Sequence, residues 1–248
     1  MIYFTKLWIV ILKHQIRFMC RIDDFILMCS TDCYPGEIYK IYCKDITLKI
    51  KQPKVFHQIN LPQIKKDNKK IHLRAVDALC LDDKTYLYAA AGDSDNIHIV
   101  EIWSEALSIP VFPNFDKGIS SICLHKQDKA IYLFVASCDG TIATYELQPT
   151  SDAIQVNLCG ICRHSDQILH IQAHNQTLYA SLLSGKVFAW ELSKITHKHD
   201  DTFSENDAQL LFHTISGLNI CNVDFSNSNT IDWDDDFRAI IKYYEYSK

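Results

Sequence analysis

The chain has 248 residues, 48% of them hydrophobic, with 25 Lys and Arg against 30 Asp and Glu and a formal net charge of −5. A chain of this length buries a full core without covalent staples, and its slight acidic balance excludes general electrostatic binding of nucleic acid beyond a local basic patch. Its ten cysteines, several within apolar runs (Cys20, Cys80, Cys123, Cys221), read as reduced thiols packed as small hydrophobes, which points to an intracellular compartment, nucleus or cytoplasm.

In chain order, the N-terminal "MIYFTKLWIVILKHQ" comes first. Its longest uncharged run, Leu7–Leu12, has six residues, whereas a signal segment needs roughly 7–15 and a membrane helix about 20. A β-strand over 2–12 is expected, with no membrane association. Next, "PGEIYKIYC" (35–43) places Gly36 five residues before Ile41. Residues 49–70 carry seven lysines and two prolines and read as a polar insertion, inside which "VFHQINL" (55–61) is a candidate strand.

Three similar series follow. They are "RAVDALCLD", "YLYAAAGD" and "NIHIVEIW" over 74–103; "GISSICLHK", "IYLFVASC" and "TIATYEL" over 118–147; and "QILHIQAH", "TLYASLL" and "KVFAWEL" over 167–192. Each segment is short and rich in β-branched and aromatic residues, with turn residues between. A fourth apolar stretch closes each series: "LSIPVF" (107–112), "AIQVNL" (153–158) and "LLFHT" (210–214). Residues 194–208 are polar and read as a second insertion, and "FRAIIKYYEYSK" ends the chain.

The series repeat. "CDGTIATYEL" (138–147) returns as "LSGKVFAWEL" (183–192), offset by 45 residues. With Tyr145 and Trp190 as anchors, the same period reaches Val100, the Gly-to-anchor step reaches Ile41, and the C-terminal segment offers Tyr244-Glu245-Tyr246. Four strands in a unit of about 45 residues form the blade of a β-propeller. The expectation is a single all-β propeller domain over 1–248, with insertions at 49–70 and 194–208. Five blades are expected, closed by residues 2–12 pairing with 238–246; the alternative is a fragment of a seven-bladed ring.

Residues 163–191 resemble the WD-repeat (WD40-like) propeller family. His164 stands at the place of that family's Gly-His, and Trp190-Glu191 at the place of its Trp-Asp. The resemblance implies a structural network joining the His and Trp through a Ser and an Asp near the turn. Ser184 is present in this repeat, whereas Asp139 belongs to a different one. More narrowly, "VDALCLDDKTYLYAAAGDS" (76–94) is similar to the WD-repeat sixth subunit of the THO complex, a family acting in messenger-RNA processing and export.

Four clusters could carry chemistry. Cys159, Cys162 and His164 could open a zinc site, but no second Cys-x-x-Cys follows, and His164 has a place in the repeat. "HKHDD" (197–201) and "DWDDD" (232–236) read as solvated acidic turns, the latter lacking the Gly and distal Glu of a Ca²⁺ loop. Lys49–Lys70 could touch phosphates without reading sequence. No nucleophile or phosphate-cradle motif occurs, so no catalytic, cofactor-binding or metal residue is assigned. The function expected is a non-catalytic protein-interaction scaffold, a subunit of a multiprotein complex. The alternatives are a THO-type subunit with indirect RNA association and a propeller enzyme. The partners expected are other protein subunits, with no small-molecule substrate identified.

Overall fold

Alternating apolar residues over short segments drive the described residues into four sheets whose consecutive strands run antiparallel. The computed structural model describes residues 16–22, 25–30, 36–42, 55–59, 72–82, 85–94, 97–105, 107–150, 152–196, 203–204 and 209–212. The first sheet holds β1 (Ile16–Ile22), β2 (Phe25–Ser30), β3 (Gly36–Tyr42) and β4 (Val55–Ile59). The second holds β5 (His72–Cys80), β6 (Tyr86–Ser94), β7 (Ile97–Trp103) and β8 (Ser108–Val111). The third holds β9 (Ile119–Gln127), β10 (Ala130–Ser137), β11 (Thr141–Pro149) and β12 (Ile154–Arg163). The fourth holds β13 (Ile168–His174), β14 (Thr177–Leu182) and β15 (Val187–Glu191). After helix α1 (Leu192–Thr196) and the two-residue strand β16 (Phe203–Ser204), it is completed by β17 (Gln209–Phe212). In every sheet spatial order follows chain order, and β16 adds to the third sheet, parallel to β12.

The chain divides into Met1–His213 and Thr214–Lys248, and every described residue lies in the first unit. The two segments expected to close a ring, 2–12 and 238–246, lie outside the described residues.

The first strands of successive sheets lie side by side, β1 against β5, β5 against β9, and β9 against β13. Both faces of the second and third sheets are therefore covered, and the strand alternation there feeds two different cores. In β10, Ile131, Leu133 and Val135 enter the layer shared with the second sheet. The intervening Tyr132, Phe134 and Ala136 enter the layer shared with the fourth. In β6, Ala89 and Ala91 face the third sheet, while Tyr88 and Ala90 face the first. The core of this protein is thus a set of layers between blades.

The register corrects one anchor of the repeat. Tyr145 pairs with Leu133 and Trp190 with Leu178, so each is reached by the same step across the hairpin. The residue that pairs with Tyr88, at the matching place in β6, is Trp103 and not Val100. The β6–β7 hairpin continues to Ser94–Ile97 and is three residues longer between these partners, which a fixed period misses. Trp103, Tyr145 and Trp190 each enter the layer facing the preceding sheet.

The two polar stretches hold structure. Within 49–70, β4 pairs with β3 as the outer strand of the first sheet, so this stretch is not a loop throughout. Within 194–208, α1 supplies Ile195, which is buried with Leu192 in the layer between the third and fourth sheets. The candidate strand at 55–61 is thus present as Val55–Ile59, whereas composition averaged over 194–208 hid a single apolar helical face.

The glycines of the repeated turn have a physical reason. Gly140 (φ +88°) and Gly185 (φ +80°) turn in the left-handed region after Ser137 and Leu182, whose carbonyls accept their N–H groups. A Cβ on Gly140 would lie 2.3 Å from the carbonyl oxygen of His164.

Candidate functional site: an aromatic box at the seam of the first two sheets

The chain ends of β2, β3, β4 and β6 meet at one end of the seam between the first and second sheets. Phe25 opens β2 and pairs with Tyr42 at the end of β3. Tyr86 opens β6 opposite Cys80, and Tyr88 follows two residues later on the same face. Phe56 comes from the outer strand β4. Phe25 meets Tyr86 edge-on at 5.0 Å and Tyr42 at 6.0 Å, and Phe56 meets Tyr88 at 5.1 Å, the geometry that aligns positive ring edges with negative ring faces.

Lys40 of β3 fills the box. Its Nζ lies 3.9 Å from the ring centre of Phe25 and 5.1 Å from those of Tyr42, Phe56, Tyr86 and Tyr88. All five distances are within reach of cation–π attraction. Its ammonium also donates a hydrogen bond of 2.7 Å to Tyr88 Oη. Behind the box, Tyr88 stacks on Trp103 at 5.4 Å and Trp103 on His57 at 4.2 Å. The far side of His57 is tied by Nε2 to Glu101 Oε1 at 3.1 Å, and Ser108 Oγ donates to the same oxygen at 2.6 Å. Glu101 is buried, and its other oxygen, Oε2, has no hydrogen-bond partner among the described residues. The rim, by contrast, is open: Tyr42 and Phe56 are each 40% exposed.

A second set of polar groups joins the innermost strands. Asp77 of β5 accepts the N–H of Leu124 in β9 at 2.7 Å, and Cys123 Sγ of β9 accepts that of Ala173 in β13 at 3.2 Å. These two side chains occupy matching places in successive sheets and do the same job. Burial raises the Asp77 carboxyl to about 7 against the two backbone N–H groups that lower it. Burial, followed by the charge of Asp77, pushes the Cys123 thiol far up, so it stays protonated at neutral pH. Ser121 Oγ lies 3.1 Å from His170 Nδ1 and accepts the Ile171 N–H at 3.3 Å. Ser121 therefore links β9 to β13 as well as meeting an imidazole.

At the other end of the second sheet, buried Asp93 takes bonds from Arg74 Nε at 2.9 Å, His98 Nδ1 at 3.1 Å and the Ile119 N–H at 3.0 Å. One carboxylate thus ties β5, β6, β7 and β9. Gly118 is required beside it, because a Cβ there would stand 2.7 Å from Asp93 Oδ2.

The residues singled out from sequence are distributed differently. Cys162 is fully buried in the layer between the third and fourth sheets. Cys159 bonds the Asn157 carbonyl at 3.6 Å, and burial raises its thiol. His164 packs edge-on against Trp190 at 5.0 Å and against Phe188 at 5.1 Å. Among the described residues no group of three or more His, Cys, Asp or Glu is placed to hold a metal ion. His164 and Trp190 thus meet ring to ring, and Asp166, two residues after His164, accepts the Ser184 N–H at 2.8 Å. Residues 197–201, 232–236 and the lysines between 49 and 70 lie outside the described residues. Sequence reading missed the box; the signals were Tyr86-x-Tyr88 and Lys40-x-Tyr42, each a pair on one strand face. Among the described residues no helix is long and apolar enough to cross a membrane.

No protein-family model and no curated protein matches the sequence. Among solved structures, the chain is similar to KlAtg21 in its complex with the coiled coil of AgAtg16. The identity is 15% and the TM-score 0.50, over 75% of this chain and 55% of that one. It is also similar to the Myceliophteria thermophila Cps50 (Swd1) β-propeller domain, with 14% identity and a TM-score of 0.48 over 70% and 55%. BBS1N in complex with ARL6DN gives 12% and 0.47 over 74% and 50%. The chain spans about half the length of these structures. At such identities the likeness is one of fold. With the four meandering sheets and the layers between them, this is an all-β β-propeller fold of four-stranded blades.

Proposed function

We propose that this protein is a non-catalytic interaction scaffold, a subunit that binds other proteins. The observation that carries this reading is the open aromatic rim of Tyr42 and Phe56, on the last two strands of a layer-cored sheet. Apolar side chains grouped at an edge beside a polar surround mark an interaction surface. The fold likeness to KlAtg21, which is held in complex with a coiled coil, supports the same reading. The hydrogen bonding of Ser121 across two blades and the protonated thiol of Cys123 favour a structural use of both groups over a nucleophilic one.

A finer reading is a THO-type subunit in messenger-RNA processing and export, located in the nucleus and associated with RNA through its partners. It is supported by the likeness of residues 76–94, the β5–β6 hairpin.

One experiment tests both. The full chain, tagged in its native cells, is sized and purified as wild type and as Phe56→Glu. The wild type is expected in an assembly larger than the single chain, and the variant as a folded protein that loses that assembly. A wild type running as a free monomer overturns the scaffold reading. RNA-processing subunits among the recovered proteins support the finer one, and their consistent absence from an intact assembly removes it.

A further inference from the structure

Lys40 is an ordinary lysine in an environment that suits another cation better. Its ammonium carries three donors, and among the described residues one of them is used, toward Tyr88 Oη. The remaining neighbours are ring faces, which attract a positive charge but cannot replace the hydrogen bonds that a strongly hydrated ammonium leaves in water. A quaternary ammonium has no N–H to satisfy and sheds its water at lower cost, so it gains the same ring attraction with a smaller penalty.

We propose that the box formed by Phe25, Tyr42, Phe56, Tyr86 and Tyr88 is a docking site for a trimethylated lysine of a protein partner, with Lys40 as its resident placeholder. This rests on the scaffold reading and names the chemistry its partner presents. Three observations carry it. The occupant already seated is a lysyl side chain, so the box accepts a four-carbon stem ending in a cation among five rings. The rim of Tyr42 and Phe56 is aromatic and open, fitted to residues flanking a lysine in a polypeptide. The buried Glu101 carboxylate, reached through His57 and Trp103, has one oxygen without a partner among the described residues. A polypeptide lysine is the occupant proposed, and not a lipid choline, because the group already seated is itself a lysyl stem. A partner's methyl-lysine must displace Lys40, so apparent affinity is reduced by the fraction of molecules in which Lys40 occupies the box.

The test uses the full chain and two small probes, Nα-acetyl-trimethyllysine methylamide and its unmethylated counterpart, titrated by calorimetry and by NMR. Lys40→Ala is expected to bind the trimethylated probe at least tenfold more tightly than the wild type does, and at least tenfold more tightly than it binds the unmethylated probe. Adding Phe56→Ala, a change at an exposed wall, should reduce that affinity at least fivefold. Should Lys40→Ala fail to fold, Lys40→Ser, which also empties the box, takes its place. A folded variant that does not discriminate between the two probes overturns the proposal. So does co-sedimentation with phosphatidylcholine vesicles in a variant that lacks trimethyllysine selectivity. An intact native assembly together with a non-selective box removes this proposal and leaves the scaffold standing. A selective box in a protein that runs as a free monomer does the reverse.

Discussion

Gly140 shows how a single hydrogen in place of a side chain supports a seam. Its N–H bonds Ser137, its carbonyl accepts the His164 N–H at 2.8 Å, and its Cα approaches the His164 carbonyl too closely for a Cβ. Gly140→Ala combines a backbone clash with a left-handed φ, and it should destabilise the fold by roughly 2–4 kcal/mol in urea titration. A loss below about 0.5 kcal/mol would mean that the β12–β13 connection yields freely. Asp77 sets a pH dependence at the same scale. Its folded value of about 7 exceeds the ordinary 3.8, so through that interval the folded chain keeps a proton that the unfolded chain has released. Stability therefore falls as pH rises between those values and levels off above them. Asp77→Asn keeps the acceptor and removes the titration. Over that window the wild type should lose roughly 2–4 kcal/mol relative to the variant, at about 1.4 kcal/mol per unit. Since Asp77 keeps some exposed surface, the low end is expected. Parallel stability curves for the two proteins would show that Asp77 is charged in the fold.

At the scale of the element, β4 decides whether the lysine-rich stretch matters. From its lysines alone the stretch reads as removable. The structure makes Val55–Ile59 the outer strand of the first sheet, and His57 stacks on Trp103 while bonding Glu101. Removing β4 unpairs the edge of β3 and leaves buried Glu101 without its imidazole, each a recognised cost. Replacing residues 51–68 by a short Gly-Ser linker should therefore lower the melting temperature by about 5 °C or more, near the shift that 1–3 kcal/mol produces in a chain of this size. An unchanged melting temperature would show that β4 adds nothing to the first sheet.

For the whole described unit, stability is distributed over three inter-sheet layers that do not share residues. Trp190, fully buried, fills the layer between the third and fourth sheets, and Leu27, also fully buried, fills the one between the first and second. Trp190→Ala should cost roughly 3–5 kcal/mol and Leu27→Ala roughly 2–5 kcal/mol. With no shared partner, the double variant should add the two losses to within about 0.5 kcal/mol. Denaturation followed by both fluorescence and circular dichroism gives the three values. A large departure from additivity would mean that the layers communicate through the innermost strands, where Asp77, Ser121 and Cys123 bond the neighbouring sheet.

Most of the fold could be read from residues close together in the chain. Strands such as "IYLFVAS" and "TIATYEL" carry their own β-branched and aromatic signal, and Gly140 and Gly185 mark a turn whose φ only glycine adopts readily. Alternation and a period of 45 were enough to place β5 through β15 and the outer strands β8, β12 and β17. What the sequence could not carry was register between segments. Val100 and Trp103 differ as anchors only because the β6–β7 hairpin is three residues longer, and hydrogen-bond pairing, not spacing, reveals it. The aromatic box lies further from the reach of sequence, for Phe25, Lys40, Phe56 and Tyr88 come from four strands across two sheets. Each is unremarked in its own segment, and they converge because the faces of neighbouring blades must bury one another. Local chemistry determined the blades of this protein, and contact between blades made the site.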